Sequence, residues 1–217
     1  MHELGHNLNM AHSSGLDGGT YSDLTCLMGS AYYSSSEGSM CYNPAKTFQL
    51  ARGSSGWYNE KNGWYSENDY DTIVWNSGTH LGSQWSGSLI GVADYHNNPH
   101  SRPIVVKLES GTSNDLFVGF NRAIGVNRDV LDARDQVTVI QAGGDGLVFS
   151  QSYVKAVLSQ GDSYSVSNWH GSGLDMTIHV NEINLESNPG YAYVTMSLDS
   201  TEIPTYFPTS VLTYKVR

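Results

Sequence analysis

Positive charge is scarce in this chain of 217 residues: 11 lysines and arginines stand against 21 aspartates and glutamates, a formal net charge of -10. No basic run is long enough to follow a phosphate backbone, which argues against nucleic acid as a partner. No stretch approaches the roughly 20 apolar residues that span a bilayer, so no membrane span is expected. Nor does a charged segment followed by an apolar one, the form of an export signal, stand at the start. Asn-x-Ser/Thr sequons are absent, which leaves secretion without support from glycosylation. Cysteine is rare too, with only Cys26 and Cys41. A bridge between them would close a loop of about fifteen residues, contribute about 3 kcal/mol and favour an oxidising compartment. The alternative is two separate buried thiols.

What the chain has in quantity is glycine, 23 residues, and tyrosine, 14, with only 15% charged residues. That mixture suits short strands and turns better than long solvated helices. Nine short apolar runs, separated by turn residues, occupy the second two-thirds: "TIVW", "SLIGVAD", "PIVVKLE", "DLFVGF", "QVTVIQ", "YVKAVL", "SYSVS", "DMTIHV" and "AYVTMSL". Their spacing and β-branched content predict an antiparallel β-sandwich. The expected fold is therefore mainly β with one or two short helices.

The densest chemistry is at the start, in "MHELGHNLNMAHS". His2 and His6 are four apart and share a helical face, so both imidazoles can reach one ion. Glu3 sits at the edge of that face, where a carboxylate can act on a water without ligating the metal. His12, six residues after His6, joins them only if the chain bends, and Asn9 is a residue that tolerates the left-handed conformation such a bend needs. By chance this spacing would arise in the whole chain at a rate on the order of four in ten thousand, which favours a metal site over scattered surface histidines. Further along, "CYNPAKTFQLA" predicts a short helix with Asn43 as N-cap and Pro44 in its first turn, stopped by Gly53.

This motif resembles that of the metzincin metalloproteases, H-E-x-x-H-x-x-G-x-x-H followed by a Met-turn, with Asn9 in place of the family's glycine. Met28, followed by Gly29, matches the Met-turn. The order of "HELGH", "MG", "CYNP" and a short helix is similar to that of the gametolysin family, over residues 1–60, and "DLFVGFNRAIG" is a looser match beyond. The resemblance implies a Zn²⁺ cofactor held by His2, His6 and His12, Met28 as a floor beneath it, and Glu3 as general base. It implies a zinc-dependent endopeptidase acting on extracellular-matrix or cell-wall glycoproteins outside the cell. A tyrosine that assists the metal in some metzincins lies two residues after the methionine, where this chain has Ser30; Tyr32 and Tyr33 are the nearby candidates.

In the family, strands and most of the zinc helix precede the first ligand. The expectation is that Met1 is an internal methionine and that the chain is a C-terminal fragment, inactive or impaired alone. Residues 1–65 would form the C-terminal part of the catalytic domain, 66–200 the sandwich, and 201–217 a tail or edge strand. The alternative function is a non-catalytic adhesion or matrix-binding module carrying a protease remnant. Trp57, Trp64, Trp75, Trp85 and Trp169 could then form a surface for matrix polysaccharide, against the plainer expectation that they pack. His80, His96, His100, His170 and His179 lack ligand spacing and are expected to be structural. "GSGLDMTIH" is a weak match to a calcium-binding nonapeptide. Asp17 and Asp23 flank a glycine-rich turn and could hold a structural cation, against the plainer expectation that they cap the turn.

Overall fold

The computed structural model describes residues 2–30, 39–52, 70–75, 83–98, 102–143 and 149–198. Tyr32, Tyr33, Trp57, Trp64, His80, His100, the proposed boundary near residue 65 and the segment 201–217 lie outside them. The chain is mainly β, with two sheets and a few short helices. Among the described residues two α-helices, α1 (His2–Asn7) and α2 (Pro44–Arg52), accompany ten strands. The strands are β1 (Ser13–Ser14), β2 (Tyr70–Val74), β3 (Gln84–Ile90), β4 (Val105–Glu109), β5 (Asn114–Asn121), β6 (Gln136–Gly143), β7 (Ser152–Leu158), β8 (Ser163–Val166), β9 (Met176–Asn184) and β10 (Tyr191–Leu198).

Each of the nine apolar runs falls on a strand. "SLIGVAD" is divided: its first half ends β3, and beyond Gly91 the chain winds into a 3-10 turn at Val92–Asn97. Glycine is needed at the junction, because a Cβ on Gly91 would lie 2.2 Å from the Cβ of Arg122.

One sheet has the order β1-β7-β6-β5-β4-β2, the other β3-β10-β9-β8. The smaller is antiparallel throughout. The larger corrects the expectation of an antiparallel sandwich at both its edges: β1 runs parallel to β7, and β2 parallel to β4. Tight hairpins impose antiparallel pairing, whereas a strand delivered by a long connection is free to enter parallel. Both edge strands arrive that way.

A core shared by the two sheets holds Val106, Leu116, Val118 and Val139 from one and Leu89, Ile178, Val194 and Met196 from the other. The opposite face of the larger sheet presents Val105, Phe117, Ile140 and Val154 to Ala45 and Phe48 of α2. Its central strands are thus buried on both faces, which is why β5 and β6 read as continuous apolar runs and not as alternating ones. Helix α2 begins as expected: the Asn43 side-chain Oδ1 accepts a hydrogen bond from the Lys46 amide at 3.0 Å, and Pro44 occupies the first turn.

The cysteines correct a second expectation. Cys26 and Cys41 are both free thiols. The Cys26 sulfur is engaged as a buried acceptor for the amides of Met28 and Asn43, at 3.4 and 3.3 Å. Burial pushes both thiols up to about 12. Of the described tryptophans, Trp75 and Trp169 are buried and Trp85 packs against the same core, so they pack as the plainer expectation held.

Candidate metal centre

Helix α1 is only six residues long and carries both His2 and His6 on one turn. It ends in a hydrogen-bonded stop. The Met10 amide donates to the Gly5 carbonyl and the Asn9 amide to the His6 carbonyl, both at 3.0 Å, while Asn9 itself adopts φ 63°. These two bonds around a left-handed residue make a Schellman motif. Asn9 therefore supplies the bend that the sequence required, and the Gln49 amide of α2 holds its carbonyl at 2.6 Å. The chain then doubles back and brings His12 beside the helix.

The three imidazoles converge. One ligand nitrogen from each of His2, His6 and His12 lies within 4.8 Å of the others, the one such cluster of metal-ligating groups among the described residues. The Nε2 atoms of His6 and His12 are 3.1 Å apart. Two nitrogens on a tetrahedral ion with bonds of about 2.0–2.1 Å would be about 3.3–3.4 Å apart. Their rings are set edge to face, with centroids 4.8 Å apart.

Tautomers are fixed from behind. His2 Nδ1 donates to the Leu27 carbonyl at 2.7 Å, and His6 Nδ1 to the Met10 carbonyl at 2.8 Å. Each bond places the proton on Nδ1 and leaves the Nε2 lone pair free, the outer-shell arrangement that orients metal-ligating histidines. The pKa of His12 is lowered, first by burial and then by the neighbouring His6, His2 and Lys46, which keeps its ring neutral and able to ligate. An all-imidazole donor set suits zinc, copper or nickel better than calcium or magnesium.

Met28 lies under the helix, fully buried. A Cβ on Gly5 would sit 2.2 Å from its sulfur, so helix and methionine touch without room for a methyl group. Met10, Cys26 and Leu50 complete the apolar floor. Glycine is required again at Gly29, where a Cβ would meet the Asp23 carbonyl at 2.1 Å.

Asp23 ties these pieces together. Its buried carboxylate accepts from Ser13 Oγ at 2.5 Å, the Thr25 amide at 2.8 Å, Thr25 Oγ1 at 2.6 Å and Asn43 Nδ2 at 3.1 Å. One side chain thus joins the strand after His12, the turn carrying Met28 and the cap of α2. Asp17, in contrast, is fully exposed and caps the neighbouring turn through Ser22 Oγ and the Gly19 amide, as expected. Asp175 of the nonapeptide-like segment accepts from the Asn168 amide at 3.1 Å. His179 lies in β9 and pairs with Ser163 Oγ.

Glu3 is exposed on α1, near enough to His12 for its charge to oppose the lowering there. Two aromatic residues at the site carry no signal in the sequence, where tyrosine is too common to single out. The ring of Tyr21 stands 4.2 Å from that of His12, and Phe149 stands 6.4 Å from His6. Both are more than half exposed, Tyr21 at 52% and Phe149 at 60%, which gives the histidines an apolar rim.

Lys46 is the other residue the sequence hides. It is 1% exposed, donates to the Ser150 carbonyl at 2.6 Å, and burial pushes it down to about 8. Below that pH the folded protein holds a desolvated ammonium that the unfolded chain keeps in water. The unfolded lysine titrates near 10.5, so stability from this group rises with pH between about 8 and 10.5 and is lowest, by about 3 kcal/mol, below 8. Lys46→Met is expected to raise stability at pH 7 by about 1–2 kcal/mol after loss of the Ser150 hydrogen bond. Urea unfolding of both proteins at pH 7 and 10 checks this. The buried thiols act oppositely above pH 9, so the difference between the two proteins is the readout; a constant difference would contradict the assignment.

No family model, curated protein or solved structure matches this chain. No helix among the described residues is long and apolar enough to cross a membrane.

Proposed function

We propose that these residues form the zinc site of an extracellular endopeptidase of the gametolysin type, acting on proteins or glycoproteins of a matrix or cell wall. The observation that carries the reading is the convergence of His2, His6 and His12, with the Nδ1 atoms of the first two donated to backbone carbonyls. Zinc bound there would supply Lewis-acid polarisation and a water with its pKa lowered towards about 7. The chain's own groups supply the rest. Glu3 stands free to accept the proton of the attacking water and to return it to the nitrogen of the departing amine. The rim of Tyr21 and Phe149 offers apolar contact to substrate side chains. Met28, pressed under Gly5, sets the height of the helix that carries two of the ligands.

Metal removal tests this. In the full-length gene product, a chelator is expected to abolish cleavage of a matrix protein, and added Zn²⁺ to restore it. Cleavage that survives complete chelation would remove zinc from the reaction. A protein that cleaves nothing whatever metal is supplied, yet binds wall polysaccharide, would favour the matrix-binding module, to which the two-sheet sandwich lends itself.

A further inference from the structure

A cavity of about 460 Å³ opens where the turn between β4 and β5 faces the segment between β8 and β9. None of the metal-site residues lines it. We infer that this cavity is a second binding site, for an acidic saccharide of one or two sugar rings. The inference is independent of the zinc reading.

Four observations point to a ligand. The volume falls within the range of roughly 300–1,000 Å³ that small-molecule pockets occupy. Trp169, which lines the cavity, is 4% exposed, and its indole Nε1–H has no hydrogen-bond partner. A buried donor left unpaired is unfavourable; the nitrogen has no accessible surface, so an acceptor brought by a ligand would relieve it through a small turn of the indole towards the cavity. The backbone around that tryptophan is strained: Asn168 at φ 53° and His170 at φ 55° are both non-glycine residues in the left-handed region. That strain is held in place, because His170 Nε2 donates to the Glu109 carbonyl at 2.6 Å and the Trp169 amide to the Leu174 carbonyl at 2.7 Å. Strain of this kind collects at ligand clamps.

The lining identifies the class of ligand. It contains no carboxylate, in a chain whose net charge is -10. Lys155 projects an ammonium that has no ion-pair partner among the described residues. Donors with a cation and no anion select a ligand rich in acceptors and carrying negative charge. Asn114 and Gln141 add amides that can both give and receive hydrogen bonds, and the ring of Tyr164 offers flat apolar surface. Many hydroxyls, an apolar C–H ring face and a carboxylate together describe a uronic acid.

Calorimetric titration of the full chain with digalacturonate and with the neutral galactobiose tests the proposal. The acidic disaccharide is expected to bind with a Kd in the millimolar range or tighter, and the neutral one at least about tenfold more weakly. Lys155→Gln, at a surface position of β7, is expected to weaken digalacturonate about tenfold, and Trp169→Phe to weaken it while keeping the ring. His12→Ala is expected to bind it as the parent does. Should Trp169→Phe fail to fold, Lys155→Gln decides alone. No saturable binding up to on the order of 10 mM, as for a cavity filled by water only, would overturn the proposal. So would equal binding of the neutral sugar, or binding unchanged by Lys155→Gln.

Discussion

Glu3→Ala, in the zinc-loaded full-length gene product, is expected to lower kcat/KM on a protein substrate by about 10²–10⁴-fold, the range that a positioned general base contributes. Zinc content is expected to stay the same, because Glu3 is exposed on α1 and the three nitrogens proposed to hold the metal belong to His2, His6 and His12. The combination distinguishes the two roles a carboxylate beside a metal can take. A ligand would lose metal on substitution, and a base loses turnover alone. Cleavage assays paired with metal analysis of the same samples give the answer. Equal proteolysis by both proteins would remove Glu3 from the reaction.

Asp23→Ala is expected to destabilise the fold by about 3–5 kcal/mol. Four donors converge on this buried carboxylate, from Ser13, Thr25 twice and Asn43. The hydroxyls of Ser13 and Thr25 can rotate to other acceptors, and Ser13 already has Ser152 Oγ at 2.9 Å. The Asn43 side-chain amide keeps Ser13 Oγ at 2.8 Å and Ser152 Oγ at 3.1 Å as acceptors. The Thr25 amide loses its acceptor, at about 1–3 kcal/mol, and the lost hydrogen bonds to a charged acceptor add about 1.5–3 kcal/mol. The loss has a second consequence. Ser13 follows His12 directly, and Ser30, just past the Met28 turn, donates its amide to the Asp23 carbonyl at 3.1 Å. Loosening this corner should let the His12 ring wander, so zinc affinity is expected to fall along with stability. Urea unfolding and zinc titration of the variant check both. Stability within about 1 kcal/mol of the parent would show that the corner is held by other contacts.

Some of this was readable from the residues and some was not. The bend at Asn9 followed from a spacing that no single helical face could satisfy, and the structure meets it with a left-handed asparagine. The N-cap at Asn43 and the nine strand runs are local signals, carried by a side chain next to the backbone it bonds or by a run of apolar residues. Pairing direction is not local. Nothing within Ser13–Ser14 or Tyr70–Val74 says that each will lie parallel to its neighbour, since that depends on where long connections deliver them. Lys46 illustrates the limit most clearly. In an amphipathic helix a lysine reads as solvent-facing, and only the fold of residues a hundred positions away brings the Ser150 carbonyl to its ammonium. The aromatic rim has the same origin, as Phe149 reaches His6 from the entry to β7. The paired thiols were a reasonable expectation from sequence separation, but the turn at Cys26 directs its sulfur to two backbone amides instead.

The account rests on three imidazoles sharing one ion, and zinc titration of the metal-free protein near pH 7, with X-ray absorption at the zinc edge, tests that most directly. One zinc per chain is predicted, bound through three nitrogens at about 2.0–2.1 Å with no sulfur, and His12→Ala is predicted to weaken it by at least about tenfold. Zinc that binds with sulfur in its shell, or that binds His12→Ala as tightly as the parent, would contradict it.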